Sequence, residues 1–329
     1  MKREDGAARA APEPTPGVLM LAGPTGIGKT ALAVALAGRF AIEIISADSM
    51  QVYRGLEIGT AQPSAEERRR ARFHLCGAIE PTETSNVARF AELCNDAHVE
   101  ILARGRVPMY VGGTGMYLRA LRWGLFDAEG HAGRNEALRA ELEAEAARLG
   151  AESLHRRLAA FDAPAAARIS PADTLRIVRA LEVHAATGRR ISDWQAQWRE
   201  PTARFPHVLA ILDAPLEVIR RRIAARVDAM LAAGWVEEVR RLLAAGLAPS
   251  RHCFKALGYR EIIAHLRGEL DAAAMRRLIL TRTGQFARRQ LTWLRREKDA
   301  TWIRLTGERP EEALPQLEIL LEKLGVPSV

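Results

Sequence analysis

Short apolar runs alternate with longer segments of helical periodicity over the first 125 residues. GVLMLAG at 17–23, AIEIISADS at 41–49 and VPMYVGG at 107–113 are each typical of a buried strand. KTALAVALAGRF at 29–40 and the segment 87–104 carry apolar residues at helical spacing. This alternation predicts an α/β fold in which helices flank a parallel, doubly wound sheet.

The pattern changes near residue 126. From there to about residue 200, RNEALRAELEAEAARLG, ESLHRRLAAF and ADTLRIVRALEVHAATG are helical with no strand between them, which predicts an inserted all-helical subdomain. Strand character returns at His207–Asp213, two helices broken near Gly234 follow, and TWIRL predicts a late strand. We therefore expect four regions: a flexible tail at 1–16, the first part of the α/β core at 17–125, the helical insert at 126–200, and core completion with basic C-terminal helices at 201–329.

The composition is that of an ordinary globular protein. The 329 residues are 48% hydrophobic and 27% charged, with a formal net charge of +8. The basic residues are almost all arginines, and their excess alone is weak evidence for a polyanionic partner. No apolar run reaches the ~18 residues of a membrane span, and the three cysteines form neither a metal-ligand pattern nor a disulfide framework. The N-terminal segment lacks an apolar signal region, so we expect a cytoplasmic protein.

One motif carries clear chemistry. GPTGIGKT at 23–30 matches G-x-x-x-x-G-K-[ST] and lies between a predicted strand and a predicted helix, which is the context a phosphate-binding loop (P-loop) requires. Its backbone amides and the helix N-terminus favour a phosphate or pyrophosphate. Lys29 would contact the distal phosphate, and the Thr30 hydroxyl suits Mg²⁺, the expected cofactor.

Two classes of enzyme fit this loop. The strand at 107–113 ends in glycines and Thr114 rather than in an acid that could hold magnesium, which weakens an ATPase or GTPase interpretation. In a small-molecule kinase, Asp48 would accept a proton from a substrate hydroxyl. In a transferase of another kind, the loop would hold a pyrophosphate that leaves. The residues alone do not separate these, and Asp48 could also serve only as a turn or helix cap.

Several segments together resemble the tRNA dimethylallyltransferase (tRNA isopentenyltransferase) family. The resemblance rests on the phosphate loop, on ISADSMQVYRGLEIGTAQPS and on VGGTGMYLRAL. Weaker matches follow in ADTLRIVRALEV, RRRIAARVDAML, KALGYREI and QFARRQLTWLRR, collinear over about 18–296. The loop departs from the family in its GI pair, and 126–134 matches poorly.

The resemblance implies transfer of the dimethylallyl group of dimethylallyl diphosphate to the N6 amine of the adenosine 3′-adjacent to the anticodon. The acceptors would be tRNAs that read codons beginning with U. Asp48 would be the general base, with Thr30 and Arg226 also catalytic, and Thr30 would be the metal ligand. Arg222 and Arg226 lie four residues apart, so they would share a helix face. The diphosphate would contact Gly23, Pro24, Thr25, Gly26, Ile27, Gly28, Lys29, Thr30 and Arg222.

The resemblance also implies contacts with a tRNA anticodon stem-loop, whose target base must be flipped out of its stack. We expect a monomer in which the helical insert clamps the RNA from one side. The C-terminal segment 274–298 adds a basic stripe at Arg282, Gln285, Arg289, Trp293 and Arg296, although Trp293 and Phe286 could instead be core residues. The tRNA contacts would be Asp48, Ser49, Met50, Gln51, Thr114, Arg139, Leu175, Arg176, Ile177, Val178, Arg179, Lys255, Ala256, Leu257, Gly258, Tyr259, Arg260, Arg282 and Arg289.

Three other functions compete with tRNA prenylation. An isopentenyltransferase acting on free AMP, ADP or ATP would need neither the helical insert nor the basic C-terminal third. A P-loop kinase would transfer a phosphoryl group to a small metabolite. A non-catalytic RNA-binding protein would not need Lys29, Thr30 and Asp48 together, so the presence of all three argues against it.

Overall fold

A six-stranded parallel sheet organises the molecule. The structure, a computed structural model, describes residues 16–125, 135–196, 202–307 and 309–329, so most of the predicted tail and the poorly matching 126–134 lie outside the described residues. The strands run in the order β3-β2-β4-β1-β5-β6. Their bounds are β1 Val18–Ala22, β2 Ile42–Ala47, β3 Phe73–His74, β4 Val107–Gly112, β5 His207–Asp213 and β6 Thr301–Arg304.

The predicted α/β fold with a parallel sheet is therefore confirmed. Five of the six strands coincide with segments for which the sequence predicts a strand. The sixth, β3, has only two residues and pairs with β2 through Ile44 and Ile45, so it carries no periodic signal of its own.

Helices cover both faces of the sheet and extend beyond it. In the first half of the described chain they are α1 Lys29–Ala37, α2 Ala65–Arg70, α3 Val87–Ala103, α4 Gly115–Trp123, α5 Glu136–Leu149, α6 Ala151–Phe161 and α7 Ala163–Ala166. The second half contains α8 Thr174–Thr187, α9 Ile191–Ala196, α10 Leu216–Ala232, α11 Trp235–Ala244, α12 Tyr259–Leu266, α13 Ala272–Leu294 and α14 Leu314–Lys323. Single 3₁₀ turns occupy His252–Lys255 and Pro310–Ala313.

Strands β1, β2 and β4 are buried at every residue because both faces of the central sheet are covered. In β1, Leu19 and Leu21 point into one hydrophobic cluster, which also contains residues of α1, α10 and α12. Val18 and Met20 point into a second cluster with residues of α3 and α4. Burial on both sides fixes the register of β1, so the loop that follows it leaves the sheet at a defined place.

Helices α5 to α9 have a hydrophobic cluster of their own. Leu142, Leu154, Leu158, Ile177 and Trp194 are each at most 6% exposed and pack together without a strand. This packing supports the predicted helical insert. Its boundaries at 126 and 200 stay a prediction, because both fall outside the described residues.

Candidate active site

The phosphate loop connects β1 to α1. Gly28 has φ +102°, in the left-handed region that side chains rarely adopt, and a Cβ there would lie 2.4 Å from Pro310 Cγ. No side chain caps the N-terminus of α1, so its first amide groups remain suited to an anion. Lys29 Nζ donates to the carbonyl oxygens of Gly23 and Pro24, at 2.9 Å each.

The Lys29 ammonium lies in an electropositive and poorly solvated place. Burial, together with the positive charge of Arg226, lowers its pKa to about 8, and the Asp48 carboxylate opposes this shift. A second negative group beside Lys29 would raise its pKa again. The loop is thus arranged to gain favourable charge interactions when an anion binds.

Two cavities adjoin at the carboxyl end of the sheet, and we call them the phosphate cavity and the apolar cavity. The phosphate cavity has a volume of about 360 Å³, and the apolar cavity about 310 Å³. The phosphate cavity is lined by, among others, Thr25, Gly26, Gly28, Lys29, Thr30, Gln51, Arg222 and Gln290. The apolar cavity has hydrophobic side chains along much of its wall, namely Met50, Ile223, Val227, Met230, Trp235 and Leu257. Asp48, Arg226 and Phe286 line both.

Asp48 follows β2 and has two roles in the structure. Its Oδ1 accepts hydrogen bonds from the backbone N–H of Met50 at 2.9 Å and of Gln51 at 3.4 Å, which is the turn role considered from the sequence. The same carboxylate lines both cavities. The turn therefore holds the carboxylate at the boundary between a cationic cavity and an apolar one.

Thr114 and Gln51 lie on the segments around Asp48. Thr114 occupies the cap position of α4, but its Oγ1 accepts from the Ser49 N–H at 3.4 Å instead of capping the helix. Gln51 accepts from Ser46 Oγ at 2.7 Å and donates to the Ala61 carbonyl at 2.8 Å. These bonds connect the predicted tRNA-contacting segment 48–51 to the sheet.

Arg222 and Arg226 lie on one face of α10, as predicted from their spacing, and both line the phosphate cavity. Arg222 Nη1 donates to the carbonyl of Ile27 in the phosphate loop at 2.9 Å. Burial lowers the pKa of Arg226, and Asp48 opposes that shift. Both side chains are half-buried and face the phosphate cavity rather than bulk solvent.

Gln290 is a residue of this site that sequence reasoning missed. It is 7% exposed, its Oε1 accepts from the Thr25 N–H at 2.8 Å, and its Nε2 donates to the Gly113 carbonyl at 3.1 Å. It thus connects the phosphate loop to the end of β4.

A Cβ at Gly113 would lie 2.2 Å from Gln290 Nε2, and one at Gly115 would lie 2.1 Å from the Trp293 ring. Gly113 and Gly115 of GGTG are therefore needed for the close approach of α13.

The segment 255–260 is only partly accessible. Lys255, Ala256 and Leu257 line the apolar cavity, while Arg260 is exposed. Gly258 and Tyr259 are buried, and the Tyr259 hydroxyl donates to Glu238 at 2.7 Å. A buried position gives the latter two a packing role in this structure.

The predicted tRNA contacts in the helical region lie on α5 and α8 and line neither cavity. Ile177 and Val178 are buried in the helical cluster, which leaves Leu175, 70% exposed, and Arg176 accessible. Arg139 and Arg179 form ion pairs with the buried Glu182 at 2.7 and 3.0 Å.

Part of the predicted basic stripe lies on the surface of α13. Arg282, Gln285 and Arg289 are exposed, Arg282 pairs with Glu261, and Arg289 lies over the Phe286 ring at 5.8 Å. Phe286 faces the cavities. Trp293 is half-buried and packs against α4, which favours the core alternative for that ring.

The comparisons with known proteins agree with this geometry. A family model described as IPP transferase matches residues 51–297, and one described as isopentenyl transferase matches residues 16–78. The chain belongs to the IPP transferase family. The family resemblance seen in the sequence is thereby confirmed, and with it the expectation of a prenyl-transferring enzyme.

Relatives of known name match almost the whole chain. A tRNA dimethylallyltransferase of Anaeromyxobacter dehalogenans is 51% identical over 290 residues, 87% of this chain and 94% of the relative. One of Geobacter metallireducens is 45% identical over 291 residues, 88% of this chain and 93% of the relative.

Solved structures of this IPP transferase's relatives share its fold. The tRNA isopentenylpyrophosphate transferase of Bacillus halodurans is 33% identical, with a TM-score of 0.66 over 94% of this chain and 98% of the other. A eukaryotic dimethylallyltransferase acting on tRNA is 27% identical, with a TM-score of 0.79 over 93% of this chain and 78% of the other. Within the described ranges, no helix is long and apolar enough to cross a membrane.

Proposed function

We propose that this IPP transferase moves the dimethylallyl group of dimethylallyl diphosphate onto the N6 amine of an adenosine next to a tRNA anticodon. The observation that carries the proposal is the position of Asp48, whose carboxylate borders both the phosphate cavity and the apolar cavity. The diphosphate fits the first and the prenyl chain the second, which brings the allylic carbon beside the carboxylate. The relatives named tRNA dimethylallyltransferase support the choice of donor and acceptor.

The reaction forms one bond and breaks one. The N6 nitrogen attacks the allylic carbon, the carbon–oxygen bond to the diphosphate breaks, and the diphosphate leaves with the bonding electrons. Asp48 takes the proton that the amine loses, a contribution of roughly 10²–10⁴-fold for a general base. Charge grows on the leaving oxygens, so the prearranged cations and loop amides lower the barrier most when they contact those oxygens. Lys29, Arg222 and Arg226 have this role.

The donor set of the loop fits Mg²⁺. Among the described residues no group of three His, Cys, Asp or Glu side chains could hold a metal, so a resident protein cage is absent there. Mg²⁺ commonly takes few protein ligands together with substrate phosphates and water. The Thr30 hydroxyl would be the protein ligand, and the ion would neutralise part of the diphosphate charge.

The proposed acceptor requires RNA-binding surface beside the cavities. The accessible members of the predicted tRNA set, including Arg176, Arg260 and Arg289, would contact the anticodon stem-loop while the target base enters from outside. The helical region α5–α9 would clamp the stem-loop, and a monomer provides all of these groups. The preference for tRNAs that read codons beginning with U, and a cytoplasmic location with the tRNA pool, belong to the same proposal.

Radiolabelled dimethylallyl diphosphate tests the proposal directly. The protein and Mg²⁺ are incubated with an unmodified tRNA transcript in one reaction and with AMP, ADP or ATP in another. We expect label in the tRNA alone, at the adenosine following the anticodon. Label in a free nucleotide would assign the acceptor to the competing nucleotide transferase. Transfer of label from [γ-³²P]ATP to a small hydroxylated metabolite, with no prenyl product, would support a kinase.

A further inference from the structure

A groove between α10 and α13 lies outside both cavities and has no part in the proposed reaction. It has a volume of about 430 Å³. Arg220, Arg288 and Gln285 stand at its rim, and Ile223, Leu280 and Gly284 line it below. No carboxylate is among its lining residues.

The two rim arginines are not neutralised. Arg220 and Arg288 are exposed, and neither forms an ion pair with a side chain in the described part of the chain. The same two helices do supply paired arginines elsewhere, because Arg276 of α13 forms two hydrogen bonds with Asp228 of α10 at 2.6 and 2.8 Å. That pair connects the helices at one end. The groove thus combines a defined shape with an unbalanced positive charge, and a polyanion complements both.

The centre of the groove is open. Gly284 lies in the middle of the 23-residue helix α13, where glycine costs about 1 kcal/mol of helix stability relative to alanine. A Cβ at this position would meet nothing within 4 Å. Packing inside the described chain therefore gives no reason for the glycine, and the space above it is available to a bound strand.

The groove also adjoins the active site. Ile223 lines the groove and the apolar cavity, and a Cβ on Gly26 of the phosphate loop would lie 3.0 Å from Ile223 Cγ1. A strand whose target base reaches Asp48 beside the prenyl chain would place its neighbouring phosphates near the groove. We propose that the groove between α10 and α13 binds the sugar–phosphate backbone of the RNA beside the target adenosine. This inference rests on the proposed RNA substrate.

The first test measures the affinity of an unmodified tRNA transcript without prenyl donor, as a function of salt. The double variant Arg220→Ala/Arg288→Ala should raise Kd about tenfold and lower the salt slope by about 1.5, the loss of two phosphate contacts. The control Arg304→Ala/Lys323→Ala removes equal charge from β6 and α14, where neither residue lines the groove or a cavity. Equal losses in both double variants would show a general charge effect and overturn the inference.

The second test uses two side chains at one open position. Gly284→Glu should weaken RNA binding several-fold, and Gly284→Lys should strengthen it, since both side chains enter the groove with opposite charge. Equal weakening by both would indicate steric damage and contradict a phosphate-binding role. Melting temperature and binding of dimethylallyl diphosphate report any general damage.

Measurements of RNA binding and of prenyl transfer distinguish the proposed tRNA acceptor from the proposed RNA-binding groove. If the wild-type protein binds the transcript but prenylates only free nucleotides, the proposed acceptor is wrong, and the variants still decide the groove. If it does not bind RNA, both are overturned.

Discussion

Arginine and lysine side chains have different partners in the phosphate cavity and in the helical region. Around the phosphate loop, Lys29 donates to the carbonyls of Gly23 and Pro24, and Arg222 donates to that of Ile27. These carbonyl acceptors are neutral, so the hydrogen bonds to them do not balance the positive charges. In the helical region, by contrast, Arg139 and Arg179 share the buried carboxylate of Glu182.

The difference indicates what each set of cations can do. A cation held by neutral carbonyls is oriented but still attracts an anion, as a diphosphate site requires. A cation paired with a buried carboxylate has most of its charge balanced, and its removal leaves that carboxylate unpaired. We therefore expect substitutions in the phosphate cavity to change the reaction rate, and substitutions around Glu182 to change stability.

The largest effect is expected at the carboxylate between the cavities. Asp48→Asn removes the proton acceptor but keeps an oxygen for the amides of Met50 and Gln51, so the turn is preserved. We expect kcat to fall roughly 10²–10⁴-fold while tRNA affinity stays the same. Single-turnover prenyl transfer and filter binding of tRNA measure the two. Unchanged turnover would remove Asp48 from the role of base.

Arg226→Ala tests one of the cations of the phosphate cavity. Its side chain lines both cavities, and its loss removes one stabiliser of the leaving diphosphate. We expect kcat/KM to fall about 10²-fold with little change in tRNA affinity. Steady-state kinetics provide the measurement, and Arg221→Ala, exposed on the same helix and outside both cavities, is the matched control. A selective loss of tRNA binding would assign Arg226 to the RNA contacts instead.

Local patterns predicted most of the fold and part of the site. The apolar runs and the phosphate loop predicted the positions of β1, α1 and β2, because strand burial and loop chemistry both depend on residues that are adjacent in sequence. Gln290 was missed because it lies 265 residues from Thr25 in sequence and contacts it only through the packing of α13 on the sheet. The pairing of Arg139 and Arg179 with Glu182 was missed for a similar reason, since a charge pattern does not show which side chain becomes buried. Long-range packing brings Gln290 to Thr25 and Arg139 to Glu182, whereas Arg179 lies three residues from Glu182 on the same helix.

The ionisation of Lys29 predicts how donor binding at the phosphate cavity depends on pH. Burial lowers its pKa to about 8, so raising the pH above 8 neutralises Lys29 in the free protein. Binding of the diphosphate must then restore the proton, and Kd for dimethylallyl diphosphate should rise about tenfold per pH unit above 8. Donor binding therefore weakens as the pH rises, whereas the free energy of unfolding of the donor-free protein should increase. The unfolded chain holds this proton up to about pH 10.4, so folding becomes more favourable between pH 8 and that value.

Calorimetric titration of the donor at several pH values measures this slope. Lys29→Arg is the control, because a guanidinium stays charged over the whole range and should abolish the dependence. A wild-type slope that persists in Lys29→Arg would place the titrating group elsewhere in the phosphate cavity.

The smallest effect on the reaction is expected from Glu182→Gln. Glu182 is fully buried and accepts from Arg139, Arg179 and the backbone N–H of Asn135 at 2.9 Å. The uncharged amide removes the negative charge that Glu182 supplies to these two partly buried guanidinium groups. We expect about 2 kcal/mol of lost stability in denaturant unfolding, discounted for the partial exposure of the arginines. Glu145→Gln, which breaks an exposed pair with Arg157, should cost almost no stability.

The rate of prenyl transfer at saturating tRNA should be unchanged in both Glu182→Gln and Glu145→Gln. If Glu182→Gln slowed it as strongly as Arg226→Ala does, the paired arginines would have to act on the reacting groups, and the distinction between neutral and charged partners would fail.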